Sequence, residues 1–68
     1  MKISARNVIK GRVKSIQIGA VNAEVIIDVG GTEIVSIITR SSAEELGLAE
    51  GSEIYAVVKA SNVMVATG

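Results

Sequence analysis

Branched aliphatic side chains dominate the apolar part of this sequence and constrain its fold more than any other feature. Ten isoleucines and ten valines stand against two leucines, and Tyr55 is the only aromatic residue. β-Branched side chains pack well on pleated strands and lose rotamer freedom in helices, so this composition indicates β-structure. The 68 residues contain no cysteine, which leaves one small core without a disulfide to support it. We therefore expect an all-β domain that associates with further copies of itself.

The first two apolar runs have the patterns of neighbouring strands. In the first, near 7–18, the apolar phase slips by one residue after Val13, which is typical of a β-bulge. In the second, 21–29, apolar and polar side chains alternate, as expected for a half-buried strand. Gly30 and Gly31 follow it and predict a two-residue hairpin, because both glycines can adopt a positive φ.

The middle of the sequence predicts a third strand and a short helix. The third run, 32–39, is apolar on both faces, so both faces should be covered, and a second subunit is the natural cover. At 41–48 the spacing of apolar residues changes from the alternation of a strand to the spacing of a helix. There Ser41 or Ser42 can cap a helix of one or two turns, and Gly47 can end it.

The last two runs, 52–59 and 63–65, predict a fourth strand and a short fifth one. Five strands with one short helix between strands 3 and 4 is the element order of a five-stranded OB-like barrel. Barrels of this type bind oligonucleotides, saccharides or small anions, and the fold alone does not choose among these ligands.

Charge and residue types argue against several functional classes. Seven basic residues balance seven acidic ones, so no strong overall field would draw the protein onto nucleic acid or acidic membranes. The sequence has no histidine or cysteine, the usual zinc ligands and the commonest general base and thiol nucleophile. We expect no bound metal cation and no enzymatic activity. No apolar run approaches the roughly 18 residues of a membrane span, and the opening lacks a signal-peptide core, which together predict a cytoplasmic location.

Three short polar clusters remain once turns and solvated strand faces are set aside. Each combines one cation with hydroxyl groups and contains no carboxylate; they are 4–7, 39–42 and 59–62. A small oxyanion needs donors of this kind, because guanidinium, ammonium, hydroxyl and backbone N–H groups all donate hydrogen bonds to it. Each cluster also has a simpler interpretation. Segment 4–7 can be an ordinary polar segment before the first strand, 39–42 can cap the helix, and 59–62 can carry a solvated charge. The pattern alone leaves both interpretations open.

Four segments together resemble one bacterial family. They are Ile3-Ser4-Ala5-Arg6-Asn7 followed by Ile9-Lys10-Gly11, the strand end Ser36-Ile37-Ile38-Thr39, the helix Ser42-Ala43-Glu44-Glu45-Leu46-Gly47-Leu48 and the ending Val57-Val58-Lys59-Ala60-Ser61-Asn62-Val63-Met64. In these segments the chain resembles the molbindins, which are single-Mop-domain molybdate-binding proteins. The resemblance covers essentially the whole chain, and the Ser-Ala-Arg-Asn opening with the Lys-Ala-Ser segment is its most specific part.

The resemblance implies that 1–68 is a single Mop domain that assembles as a homohexamer, a trimer of dimers. It also implies storage or homeostasis of molybdate or tungstate, bound between subunits without chemical conversion and with no covalent cofactor. The implied main pocket joins Ser4 and Arg6 of one chain to Thr39, Ser42, Lys59 and the Ala60 backbone of its neighbour, and Ala5 and Ser61 belong to the same segments. A second oxyanion site near the threefold axis would involve Gly19, Ala20, Val21 and Asn22.

The chemistry of the ligand agrees with this donor set. Molybdate is a fully deprotonated dianion at neutral pH, so its oxygens only accept hydrogen bonds, and a pocket of donors without carboxylates suits it. Three other functions are alternatives. An OB-type nucleic-acid binder would need aromatic stacking platforms, and a structural or regulatory interaction module would account for strands that are apolar on both faces. An enzyme is the weakest alternative, because the sequence holds no complete catalytic set.

Overall fold

The structure is a computed structural model that describes residues 2–68. One antiparallel sheet makes up most of it. Its elements in chain order are β1 (Asn7–Ile18), β2 (Asn22–Asp28), β3 (Glu33–Thr39), α1 (Arg40–Glu45), β4 (Glu53–Val58) and a 3₁₀ turn (Ala60–Asn62). The strand order across the sheet is β3-β2-β1-β4, and each neighbouring pair is antiparallel. The prediction of an all-β fold with one short helix between the third and fourth strands is confirmed.

Strand β1 pairs with two different strands along its length. Its first half, from Asn7 to Arg12, pairs with β4, and its second half, from Arg12 to Ile18, pairs with β2. The register with β2 shifts between Val13 and Ser15, which confirms the bulge predicted after Val13. A bulge bends a strand and increases its twist. The sheet curls as a result, and residues of β3 and β4 line the two sides of one open cleft.

The core lies inside the curl of the sheet. Its buried side chains are Val13, Val25, Ile27 and Ala56, and half-buried apolar residues pack against them. Ala23, Val25 and Ile27 are buried on one face of β2, as the alternation in the second run predicts. Val21 continues this pattern in the sequence but precedes β2 in a turn, so its side chain is exposed. The core is therefore small and made almost entirely of branched aliphatic side chains.

The hairpin between β2 and β3 has the predicted two-residue turn. Gly30 and Gly31 have φ values of 81° and 94°, the left-handed region that costs glycine little and other residues more. The Val29 N–H donates to the Thr32 carbonyl at 2.8 Å and closes the turn. The Gly31 N–H donates to the Asp28 carboxylate at 2.9 Å.

Helix α1 begins earlier than predicted and has a different cap. Thr39, the last residue of β3, is extended with φ −70° and ψ 152°, and its hydroxyl accepts from the Ser42 N–H at 3.1 Å. The prediction of Ser41 or Ser42 as the cap is wrong, because the helix follows β3 without a loop and the strand's final residue occupies the capping position. Gly47 ends the helical segment with φ 63°, as predicted. Neither helical segment within residues 2–68 is long and apolar enough to cross a bilayer.

The predicted fifth strand does not form in the described chain. Segment 63–65 follows the 3₁₀ turn and pairs with none of the strands of residues 2–68. The side chains of Val63, Met64 and Val65 are 51%, 93% and 90% exposed. The apolar pattern predicts a strand here, but a strand also needs backbone partners on a neighbouring strand, and this segment forms no such pairing among residues 2–68. The sheet therefore has four strands instead of five.

We predict that Gly11→Ala destabilises the fold through a steric clash. A Cβ at Gly11 would lie 2.7 Å from Ile27 Cγ2, 2.8 Å from Val29 Cγ1 and 2.9 Å from the Asp28 carbonyl oxygen. The backbone carbonyl cannot move without breaking the β1–β2 ladder, so we expect a loss of about 1–3 kcal/mol in the free energy of unfolding. Urea denaturation at fixed protein concentration measures it. Gly68→Ala is the control, because a Cβ there meets open space, and equal stability of the two variants would contradict the prediction.

We predict that the hydroxyl of Thr39 stabilises α1 and that the hydroxyl of Ser41 does not. Thr39→Val keeps the shape of the side chain but removes the acceptor for the Ser42 N–H. Loss of an N-cap costs about 1 kcal/mol of unfolding free energy. Ser41→Ala is the matched control in the first turn of the helix. The two variants should differ in their urea midpoints, and a larger loss for Ser41→Ala would restore the sequence-based assignment of the cap.

Candidate oxyanion site

Two of the predicted polar segments lie side by side at one end of the sheet. Asn7 and Val58 are cross-strand partners at the last position of the β1–β4 ladder. Segment 4–6 leads directly into Asn7, and segment 59–61 follows Val58 directly. We call these two segments the terminal cluster. It brings together Ser4, Ala5 and Arg6 with Lys59, Ala60 and Ser61.

The terminal cluster offers hydrogen-bond donors to solvent. Apart from the half-buried Ala5, its residues are exposed. Lys59 is extended, and in the described chain no side-chain hydrogen bond caps the 3₁₀ turn that follows it. Arg6 and Lys59 form no ion pair with any carboxylate of residues 2–68. Two cations, two hydroxyls and backbone N–H groups therefore surround the same end of the sheet, which is the chemistry that an oxyanion requires.

Two of the three basic residues of β1 are paired with carboxylates. Arg12 lies 3.5 Å from the Glu53 carboxylate across the β1–β4 ladder. Lys14 donates a hydrogen bond to Glu33. That hydrogen bond, together with the charge of Glu33, raises the pKa of Lys14 above its ordinary value. These pairs are exposed, so each contributes little to stability. The third, Lys10, forms no ion pair within residues 2–68, but it lies on the strand without the hydroxyls that flank Arg6 and Lys59.

The second predicted cluster surrounds the start of α1, and we call Thr39, Arg40 and Ser42 the helix cluster. The Thr39 hydroxyl donates to Ser42 Oγ at 2.8 Å. Arg40 Nε donates to Glu44 Oε1 at 2.8 Å, four residues along the helix. The sequence suggested a free cation here, but the i,i+4 spacing pairs it with a carboxylate. The helix cluster therefore supplies hydroxyls, and the charge of Arg40 is largely compensated.

The loop predicted as a second oxyanion site adjoins the helix cluster. The Arg40 N–H donates to the Val21 carbonyl at 2.8 Å, and Asn22 is the cross-strand partner of Thr39. Inside the loop, the Gly19 N–H donates to the Asn22 carbonyl at 2.7 Å. Gly19, Ala20, Val21 and Asn22 are all exposed.

The chain thus brings the predicted residues together in two groups. The terminal cluster flanks the first residue of β1, whereas the helix cluster and the 19–22 loop lie beside the pairing of Ile18 with Ala23 at the other end of that strand. None of the hydrogen bonds found in residues 2–68 links the two groups. No group of three or more acidic residues in that range could hold a metal cation.

One residue of the predicted cluster 4–7 is not among the oxyanion-binding residues that the resemblance implies. Asn7 Nδ2 donates to the Val58 carbonyl at 3.2 Å, across 51 positions of the chain. The Ser-Ala-Arg-Asn opening contains this residue, but its type alone gives it no role. The signal that identifies it is the β1–β4 register, which only the folded chain provides.

Comparison with known proteins places the chain in a family. The TOBE domain family model matches residues 3–65. Molybdenum-pterin-binding protein 2 of Clostridium pasteurianum is 52% identical over 66 residues, which cover 96% of this chain and 97% of that protein. A molybdate-binding protein from Sporomusa ovata has a structure that superposes with a TM-score of 0.94 at 42% identity, covering 98% of this chain and 100% of that one. The cytoplasmic molybdate-binding protein ModG, with molybdate bound, superposes with a TM-score of 0.84 at 56% identity, covering 88% of this chain and 43% of that one.

These matches confirm the resemblance seen in the sequence. They extend over nearly the whole chain, and the two groups of candidate residues lie within the matched range. The chain therefore belongs to the TOBE domain family and, within that family, to the molybdenum-pterin-binding proteins.

Proposed function

We propose that the protein binds molybdate or tungstate between copies of itself and releases it unchanged, as a cytoplasmic store or buffer of the oxyanion. The observation that carries this proposal is the terminal cluster, where Arg6 and Lys59 lie on adjacent segments without a carboxylate partner among residues 2–68. Relatives named as molybdenum-pterin-binding proteins and solved molybdate-binding proteins support the choice of ligand.

The donor set favours an inorganic dianion over a pterin ring. A pterin offers a flat heteroaromatic surface, and proteins commonly hold such surfaces by stacking aromatic side chains on them. Tyr55 is the only aromatic residue, and it lines the cleft between β3 and β4 among aliphatic side chains. The terminal cluster supplies positive charge and hydroxyls, which match four oxygens that only accept hydrogen bonds.

A pocket between chains accounts for the separation of the two groups. The terminal cluster and the helix cluster lie at opposite ends of β1, so a second copy could place one chain's helix cluster against another chain's terminal cluster. We propose that Ser4, Arg6, Lys59 and the Ala60 backbone come from the terminal cluster of one chain, and that Thr39 and Ser42 come from its neighbour. The division that the resemblance implies, with Lys59 and the Ala60 backbone on the same chain as Thr39 and Ser42, would need opposite ends of β1 to meet in one pocket. The 19–22 loop would then lie close to the hydroxyls of the same interface.

Exposed apolar surface supports self-association. Val35 and Ile37 on the outer face of β3 are 60% and 67% exposed. The cleft between β3 and β4, about 310 Å³ in volume, is lined mainly by aliphatic residues, and segment 63–65 is apolar and unpaired in the described chain. Surfaces of this kind mark interfaces in proteins of this size. We propose a homohexamer, a trimer of dimers, as the assembly that covers them.

Binding at an interface links ligand concentration to assembly. An anion that bridges two chains binds the assembled state and not the separated one. At a hundredfold excess over its Kd, it stabilises that state by about 2.7 kcal/mol per site. The oxyanion would therefore hold the oligomer together when it is abundant and leave a weaker assembly when it is scarce, which suits reversible storage.

We predict that native mass spectrometry with molybdate shows a six-chain assembly carrying whole molybdate masses. Sulfate at equal concentration is the control, because it has the same charge and similar shape but smaller size. The assembly should retain molybdate and release sulfate. A monomer or dimer that retains no anion would contradict the proposal and favour the interaction module, whose apolar surfaces need no ligand.

We predict that Arg6→Ala weakens molybdate binding about tenfold or more. A hydrogen bond that involves a charged group contributes about 1.5–3 kcal/mol, and 1.4 kcal/mol corresponds to a tenfold change in Kd. Isothermal titration calorimetry measures the change. Arg12→Ala is the matched control, because Arg12 is an exposed arginine of β1 paired with Glu53 outside the terminal cluster. Unchanged affinity in Arg6→Ala, or an equal loss in both variants, counts against the assignment.

A further inference from the structure

Two cations lie immediately beyond the last pair of the β1–β4 ladder. The ladder pairs Val8 with Val57 and ends with Asn7 and Val58; Arg6 precedes Asn7 and Lys59 follows Val58. Neither cation has an ion-pair partner among the carboxylates of residues 2–68. Beyond Asn7 and Val58, no ladder pairing of the described chain holds segment 4–6 beside segment 59–61.

A side-chain hydrogen bond joins the two strands at this last pair of the ladder. Asn7 Nδ2 donates to the Val58 carbonyl at 3.2 Å, and both residues are half-buried. The bond adds a further link between β1 and β4 immediately inside the two cations. Partial burial strengthens it, because water competes less for the amide and the carbonyl.

We propose that Asn7 is a positioning residue of the oxyanion site, which holds segment 4–6 against segment 59–61 through its bond to Val58. This inference rests on the function proposed above and concerns the same site. Because the bond forms on folding, the two segments are already held together before the anion arrives. Binding then does not have to order the two segments, and preorganisation of this kind raises affinity.

The role of Asn7 follows from the proposed division of the pocket. Arg6 and Lys59 come from the terminal cluster of one chain, whose two segments Asn7 holds in place. Asn7 itself donates to the backbone and is not assigned a contact with the anion. Its removal should therefore lower affinity without removing any ligand-binding group.

The test compares Asn7→Ala, Asn7→Gln and Gln17→Ala by molybdate titration at a temperature where all three are folded. Asn7→Ala removes the donor, and we expect its molybdate affinity to fall roughly three- to tenfold, the range for one hydrogen bond. Asn7→Gln keeps an amide and should recover most of the affinity. Gln17→Ala removes an exposed amide of β1 outside the polar clusters and the 19–22 loop and should bind as the unmodified protein does. If Asn7→Ala fails to fold, Asn7→Leu removes the donor with little change in size.

Backbone ¹⁵N relaxation of the anion-free protein separates positioning from general stability. Asn7→Ala should increase the mobility of segments 4–6 and 59–61 and leave the β2–β3 hairpin unchanged. Unchanged affinity in Asn7→Ala, or an equal loss in Asn7→Ala and Asn7→Gln, would overturn the proposal. If the unmodified protein binds no molybdate, the proposed function fails and so does any role of Asn7 in binding. The relaxation data then still decide whether Asn7 holds the two segments together.

Discussion

Strand β1 must pair with β4 along its first half and with β2 along its second half, and the positions of the other elements follow from this double pairing. A flat strand could not bring both neighbours around one core. The bulge between Val13 and Ser15 bends it, and the absence of a side chain at Gly11 lets β1 approach Ile27 and the Asp28 carbonyl closely. Curling encloses the small core but leaves β3 and β4 on either side of an open cleft.

The same constraint decides where the polar groups lie. Asn7 and Val58 form the last pair of the ladder, so segment 4–6, which precedes Asn7, lies beside segment 59–61, which follows Val58. At the other end of β1, the pairing of Asn22 with Thr39 sets the 19–22 loop beside the start of α1. Neither arrangement needs special loop conformations. The candidate site is a direct consequence of how the ladder ends.

Features governed by local chemistry could be predicted from the sequence. The Gly30-Gly31 turn, the bulge after Val13 and the buried face of β2 each follow from a few adjacent residues, and the structure confirms all three. Predictions that depended on a distant partner were less successful. The pattern at 63–65 shows an apolar segment but not the edge it pairs with, and the cap of α1 depended on the absence of a loop after β3.

The same difference between local features and those that depend on a distant partner applies to the candidate site. Residue types identified donor-rich clusters, because charge and hydroxyl content can be counted along the chain. They could not show that Arg40 is paired with Glu44 or that Asn7 bonds to Val58. The first requires helical geometry at that position, and the second requires a register between strands 51 residues apart. The resemblance to molbindins supplied candidate residues, whereas only the fold could show which of them lie together within one chain.

The donor set explains why the proposed site prefers a dianion but not which dianion it prefers. Arg6 and Lys59 both flank the proposed site, and their attraction to an anion is stronger when it carries two charges than when it carries one. Sulfate and molybdate carry the same charge and accept hydrogen bonds in the same way. Selection between them must therefore come from the distance between donors. In a pocket shared by two chains, the packing of apolar surfaces such as β3 sets that distance. Apolar contacts remote from the anion would then determine the specificity of the site. Val35 and Ile37 would affect the selection between sulfate and molybdate without contacting either anion.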